Sequence, residues 1–217
     1  MGVITALEMQ KRNKERVNVF LDGEYAFSLV LIEAAKLRKG QTLTDEEIAA
    51  LRDDDDINRA VDRAVRFLSY RPRSTQEVRN NLAKKDFSEI TVETAIERLM
   101  DMSYLDDAAF ARFWLENRTK FKPRGPMALR YELRQKGIEN SIIDSVLDEL
   151  DVDEAAYYAA VSKAKRLHNL NQQEFRHKLG GFLQRRGFSY GTVRDVIKKV
   201  ESEMVTDDPD FFVDDEG

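Results

Sequence analysis

The sequence predicts a mainly α-helical protein: three tandem three-helix repeats forming an elongated curved body, with a small N-terminal β-meander and helix as an extension. Three observations lead there. Apolar residues alternate with the period of a strand only within the first thirty residues, and recur at helical spacing from residue 57 onward. The 217 residues include only 10 glycines and 4 prolines, while 35% are charged and 42% apolar, which describes helices with wet faces rather than a disordered chain. A set of apolar positions also recurs three times at nearly constant offset.

Residues 3 to 11, 16 to 22 and 24 to 29 read as three short strands. The last two are joined at Asp22-Gly23, a pair that tolerates the positive φ of a tight hairpin. Alternation puts Val17, Val19 and Leu21 on one face of the second strand, and a sheet this small must lean on something else. A short helix over 30 to 38 follows, ended by Lys39-Gly40, and Thr44-Asp45-Glu46-Glu47 then supplies the capping box of another. Asp53 to Asp56 repel one another and are expected to mark a solvated joint between the extension, 1–56, and the repeats, with a helix that continues through them as the alternative.

The repeats are read from columns. Val78, Leu129 and Leu179 correspond, as do Leu82, Leu133 and Leu183; Phe87, Ile138 and Phe188; Val92, Ile143 and Val193; Ile96, Leu147 and Ile197; and Leu99, Leu150 and Val200. The offsets are 51 and then 50 residues throughout, a register that unrelated amphipathic helices would lose at their turns. Units at 57–105, 106–151 and 152–205 follow. Each has a first helix (57–69, 107–120, 153–168), a second, a tight break at Lys85-Asp86, Lys136-Gly137 or Arg186-Gly187, and a third. Gly137 and Gly187 stand where a left-handed residue ends a helix, and Asp86 fills the same column with more strain. Asp106-Asp107 precedes Ala108-Ala109-Phe110 and is expected to cap a helix rather than hold a cation. Phe110, Phe113, Trp114, Phe121, Tyr157 and Tyr158 are expected in the core. The acidic tail, 206–217, is expected to be a disordered end, with competition for the basic surface as its alternative.

Much chemistry is excluded. There is no cysteine, hence no disulfide and no thiolate. With two histidines nine residues apart, and no glycine-rich phosphate loop, neither a zinc site nor nucleotide hydrolysis has its usual support. No catalytic constellation can be assembled, so a non-enzymatic protein without cofactor is expected. No stretch approaches eighteen consecutive apolar residues and the N-terminus has no secretory pattern, so a cytoplasmic location without membrane contact is expected.

Charge is unevenly placed. Residues 57 to 205 carry a net charge of +5 between the acidic run at 53 to 56 and the acidic tail, within a chain of net −5. Cations recur at the helix breaks, as Lys84-Lys85, Lys136 and Arg185-Arg186, and gather before the second helices at Arg71, Arg73, Lys122 and Arg124, with Arg130 and Arg134 a turn apart on the helix that follows. A stripe of cations suits a polyanion or a filament groove. Cations at helix C-termini also complement the helix dipole, so the stripe alone leaves both readings open.

Arg71-Pro72-Arg73-Ser74 with Glu77-Val78 and Leu82, then Tyr104-Leu105-Asp106-Asp107 with Phe110-Ala111, then Glu132-Leu133 with Lys136-Gly137-Ile138, together resemble the RecX family of bacterial recombination regulators. The segment Lys11 to Glu24, with Asn13, Arg16-Val17-Asn18-Val19 and Leu21-Asp22-Gly23, is similar to the strand extension of longer members. Two positions depart from the pattern: Asp86 stands where the other units have glycine, and Ser103 where the family commonly has glycine before the tyrosine.

The resemblance implies a modulator, mostly an inhibitor, of the RecA recombinase. Such proteins bind the groove of the RecA filament on single-stranded DNA and restrain ATP hydrolysis and strand exchange, within DNA repair, homologous recombination and the SOS response. The expected partners are the RecA filament and its single-stranded DNA, and the protein is expected to be a monomer. Arg71, Arg73, Lys84, Lys85, Lys122, Arg124, Arg130, Arg134, Lys136, Arg185 and Arg186 are the expected contacts; the family motif itself supports Arg71, Arg73 and Lys136. A DNA-binding repeat protein without a RecA partner, and an α-repeat interaction scaffold, are the alternatives.

Overall fold

The computed structural model describes residues 1–213. The chain divides into two compact units, Met1–Leu105 and a second beginning at Asp106.

The first unit opens with β1 (Gly2–Met9), β2 (Arg16–Leu21) and β3 (Glu24–Val30), antiparallel neighbours as the alternation requires. Asp22 and Gly23 have φ of 50° and 89°, the left-handed pair of a two-residue hairpin. The helix expected over 30 to 38 is the single turn α1 (Leu31–Ala34). A strand that the pattern does not announce, β4 (Thr42–Leu43), pairs with β1 and completes a sheet of order β3-β2-β1-β4. Two residues are too few to show alternation. The buried face carries Ile4, Val17, Val19, Phe27, Leu29 and Leu43, and Ile48 and Leu51 close over it.

Those last two belong to α2 (Asp45–Leu68), which starts at the Thr44 capping box, reciprocal in the structure. The acidic run Asp53 to Asp56 is not a solvated joint: it lies inside this unbroken helix. Like charges are tolerated there because three arginines meet three of the carboxylates. Arg16 Nη2 lies 2.6 Å from Asp55, Arg59 Nη1 2.8 Å from Asp56, and Arg98 Nη2 3.6 Å from Asp54. One helix therefore serves two cores, the sheet through its first half and the first repeat through Ala60 and Ala64. The repeat is completed by α3 (Thr75–Ala83), capped by the Ser74/Glu77 box, and α4 (Glu89–Asp101).

The second unit holds the other two repeats: α5 (Asp107–Phe121), α6 (Pro126–Gln135) and α7 (Asn140–Asp148), then α8 (Val152–Ala164), α9 (Gln172–Arg185) and α10 (Tyr190–Asp207). Asp106 caps α5 by accepting from the Ala108 and Ala109 amides at 2.8 and 2.9 Å. The columns read from the sequence are the three cores: every member is buried except Phe87 and Leu150, which are partly so. The breaks also match. Asp86, Gly137 and Gly187 have φ of 60°, 76° and 87°. At the two glycines the amide of the next residue returns to the second helix, Ile138 to Leu133 and Phe188 to Leu183, the six-to-one bond of a Schellman cap. Ser103, φ 59°, ends α4 in the same way, with Tyr104 returning to Leu99.

Two expectations are corrected. Of the aromatics assigned to the core, only Phe110 is buried; Trp114 and Tyr157 are partly covered, and Phe113, Phe121 and Tyr158 face solvent. Neighbouring positions on one helix cannot all face the same core. The tail is ordered as far as it is described, since Phe211 is buried and Phe212 packs beside it, both edge-on to Phe175 at 5.8 and 5.1 Å. The Val213 amide bonds the Leu170 carbonyl at 3.2 Å. Two phenyl rings among carboxylates still bury apolar area, and that outweighs the run of charge. The rest of the tail, 214–217, lies outside the described residues.

Candidate functional site

The cations divide by what holds them. In the first repeat Arg71 is forked onto Glu77, with Nη2 to Oε1 at 2.9 Å and Nη1 to Oε2 at 3.3 Å, and bonds the Pro72 carbonyl at 2.8 Å. Glu77 also closes the cap of α3, so this arginine fixes the loop before the helix. The Arg73 guanidinium lies 3.9 Å from the centre of the Phe67 ring with its Nε buried and unbonded. Burial first, and then the charge of Arg71, lower its pKa. Lys84 and Lys85, at the end of α3, are exposed and pair with no carboxylate among the described residues.

In the second unit the structure brings several predicted cations together around one carboxylate. Glu132, on α6, accepts from Trp114 Nε1 at 2.7 Å, lies 2.7 Å from Arg118 Nε, and pairs through its other oxygen with Arg124 Nε at 2.9 Å. Lys136 Nζ is 5.0 Å, and the Arg118 guanidinium 4.5 Å, from the Trp114 ring. Arg186 reaches the same loop from the third repeat, donating Nη1 to the Pro123 carbonyl at 2.8 Å while resting 4.5 Å from the Phe182 ring. Its pKa is lowered by burial and then by the charge of Arg124. Arg118 and Arg124 thus share one partly buried glutamate, with Lys136 over the neighbouring Trp114 ring, Arg186 on the adjoining loop, and exposed Lys122 next in the chain to Pro123. Such a cluster keeps a surplus positive field that favours an approaching anion.

Arg130 and Arg134 are not part of it. They point across to α7, where Arg130 pairs with Asp144 and Arg134 Nε donates to Asn140 at 2.9 Å. Arg79 and Glu93 form the matching clasp in the first repeat, at 2.6 Å. Arg185 is exposed. Arg118, Trp114 and Glu132 carry the cluster and were not singled out as its members. Their signal was in the helical spacing, since Trp114 and Arg118 are four residues apart and share a face of α5.

The second and third repeats meet backbone to backbone at this site. The Gly125 amide bonds the Arg186 carbonyl at 2.9 Å and the Met127 amide the Gly187 carbonyl at 3.3 Å. A Cβ on Gly125 would lie 2.3 Å from the Gly187 oxygen, and one on Gly187 2.4 Å from the Ala128 nitrogen, so neither position has room for a side chain. The helix break of one repeat is the docking point of the other.

This architecture matches a known family at every part. Residues 2–44 match the regulatory protein RecX N-terminal domain, and 60–99, 106–147 and 151–197 match the first, second and third RecX three-helix domains. The chain belongs to the RecX family. Regulatory protein RecX of Bacillus subtilis is 36% identical to it over 94% of this chain and 79% of its own length, and that of Clostridium botulinum 32% identical over 92% and 96%. A crystal structure of regulatory protein RecX superposes with a TM-score of 0.76 at 31% identity, covering 92% of this chain and all of that one. The structure of RecX from Lactobacillus salivarius gives 0.63 at 25% identity over 69% of this chain and 99% of that one. Membership in the RecX family makes this a regulatory protein, and no helix of the described residues is long and apolar enough to cross a membrane.

Proposed function

We propose that the protein is a non-catalytic modulator, mostly an inhibitor, of the RecA recombinase, binding the groove of the RecA filament on single-stranded DNA and restraining ATP hydrolysis and strand exchange. It acts in the cytoplasm, as a monomer and without cofactor, within DNA repair by homologous recombination and the SOS response. Its working divisions are the extension 1–56, the repeats 57–105, 106–151 and 152–205, and the tail from 206. The observation that carries this reading is the cluster around Glu132, where cations of two repeats share one loop in a RecX family chain.

Exposed Lys84, Lys85, Lys122, Arg134 and Arg185 meet the filament directly. Arg71, Arg73, Arg124, Arg130, Lys136 and Arg186 are held by their internal partners and present the N–H groups those partners leave over. Each repeat adds a weak contact and the linked set gains through effective concentration.

The test is the single-stranded-DNA-dependent ATPase rate of the cognate RecA as this protein is titrated to equimolar ratio, beside its affinity for naked DNA. A strong fall in rate where naked DNA is hardly bound is expected. Tight binding to naked DNA with an unchanged rate would replace the proposal with a plain DNA-binding repeat protein.

A further inference from the structure

The three repeats agree in their cores and differ in how the second and third helices are fastened on the outside. In the first repeat Arg79 forks onto Glu93, and in the second Arg130 pairs with Asp144. At the same offsets of 51 and 50 the third repeat has Gly180 in place of the arginine and Arg194 in place of the acid, so the clasp is missing and the charge on α10 is reversed. A turn further on, Lys198 stands in the column of Glu97 and Asp148 and repeats the reversal. A groove of about 570 Å³ opens here between α9 and α10, with Gly180, Gly181, Val193 and Ile197 along its floor. Neither glycine is required where it stands. Both lie inside α9 rather than at its end, and neither is among the glycines with positive φ. A Cβ on Gly180 would meet Ile197 at 3.5 Å and Val193 at 3.9 Å, ordinary contacts, and one on Gly181 would meet the movable end of Arg185 at 3.1 Å. Glycine weakens a helix interior relative to alanine, so what the pair gives in return is the depth of the groove.

The rim is cationic. Arg194 and Lys198 are exposed and four residues apart on α10, about 6 Å along the axis at 1.5 Å per residue. Lys198 makes no ion pair among the described residues, and Arg194 reaches only Asp195, its neighbour in the chain, in a fully wet pair that is given up at little cost. Arg176, bonded to Glu201 at 3.0 Å, closes one end of the groove, and exposed Tyr190 stands at the other. An amphipathic helix fits these features: an aliphatic side chain enters where the Cβ atoms are missing, and carboxylates one turn apart meet the two cations. A nucleic acid would find an aliphatic floor with no ring along it for its bases to stack on. The chain's own tail is seated elsewhere, Phe211 and Phe212 against Phe175, which is not part of the groove wall.

We propose that the groove between α9 and α10 docks an acidic amphipathic helix of a partner protein, with an aliphatic side chain over Gly180 and Gly181 and carboxylates on Arg194 and Lys198. None of these residues is among the cations assigned to the filament, so the inference goes beyond the proposed function, and its readout uses neither recombinase nor DNA.

The experiment measures binding of the full chain to a fluorescein-labelled synthetic helix, with leucines alternately three and four residues apart on one face and glutamates flanking them, by anisotropy at low salt. Gly180→Arg with Arg194→Glu rebuilds the clasp of the first repeat, filling the groove and reversing its rim, and is expected to abolish binding while the melting temperature holds or rises. Arg194→Gln with Lys198→Gln changes only exposed side chains, so the fold is kept, and is expected to weaken binding about fivefold, the effect of two exposed charge pairs. No binding to the wild-type chain, or unchanged affinity in either variant, overturns the site. Equal binding of a control helix with its leucines replaced by glutamine would reduce the groove to a cationic patch, and displacement by oligothymidylate as effective as by the unlabelled helix would make it a nucleic-acid surface; either result also overturns the proposal.

Discussion

Each unit of this protein contains a joint between two cores, and the two joints are made of different materials. In the first unit the sheet and the first repeat share α2, and side-chain charge ties the parts to it: Arg16 of β2 to Asp55, Arg98 of α4 to Asp54. In the second unit no helix is shared. The repeats touch mainly through main chain, Gly125 and Met127 against Arg186 and Gly187, at the left-handed residue that also ends α9, with the Arg186 side chain adding one bond to the Pro123 carbonyl. A charge joint tolerates changes of shape and fails when a partner is lost, whereas a joint made mainly of backbone depends less on any one charge and fails when an atom is added.

The largest effect belongs to the backbone joint. Gly187→Ala adds a Cβ at φ 87° that also meets the Ala128 nitrogen at 2.4 Å, combining left-handed strain with overpacking. It should cost about 3 kcal/mol in urea unfolding followed by the fluorescence of Trp114, the chain's one tryptophan, which lies in this unit. Gly137→Ala is the control: the same left-handed conformation but solvent-exposed, so strain alone should cost about 1–2 kcal/mol. Equal losses in the two variants would show that the joint contributes nothing.

The charge joint comes next. Arg16→Met leaves Asp55, which is only 7% exposed, without its partner, at a cost of about 3 kcal/mol at neutral pH, or somewhat less where water follows the carboxylate in. Burial already raises the Asp55 pKa against the bond and charge of Arg16, and losing Arg16 removes most of what lowers it, leaving the weaker pull of the Arg59 charge. The folded pKa then lies further above the unfolded value near 3.8. The folded state holds its proton where the unfolded state has lost it, so stability falls as pH rises through that window. The deficit of the variant relative to wild type should therefore be small near pH 3 and grow toward neutrality. Circular dichroism melts at a series of pH values test this, and a deficit that does not change with pH would mean that Asp55 stays protonated or solvated in both proteins.

These contrasts also mark what could be read from the sequence. The three cores were legible because burial imposes a repeat at offsets of 51 and 50, and so were the left-handed breaks, because few residues accept that φ. The Ser74 and Thr44 caps were legible because their partners are three residues away. Charge was legible in position and not in use. Nothing local says that Asp55 faces Arg16, 39 residues distant, or that Glu132 gathers Arg118 and Arg124. An exposed cation and a clasped one have the same spelling, which is why Arg124 and Lys84 were placed in one stripe and the structure gives them different surroundings. The groove of the third repeat escaped for another reason, because the columns that made the repeats visible are apolar and the exchanged residues Gly180 and Arg194 lie between them.

The smallest expected effect tests whether the first repeat's break is only a turn. Asp86 sits at φ 60° in the column of Gly137 and Gly187, exposed. Aspartate tolerates the left-handed region better than most residues but still carries strain that glycine lacks, while glycine loses more entropy on folding. The two nearly cancel, and Asp86→Gly should stabilise by about 0.5 kcal/mol or less, read as a shift of one or two degrees in melting temperature. A gain well above 1 kcal/mol would instead mean that the Asp86 carboxylate is actively unfavourable where it stands, an electrostatic cost that the break in the other two repeats does not carry.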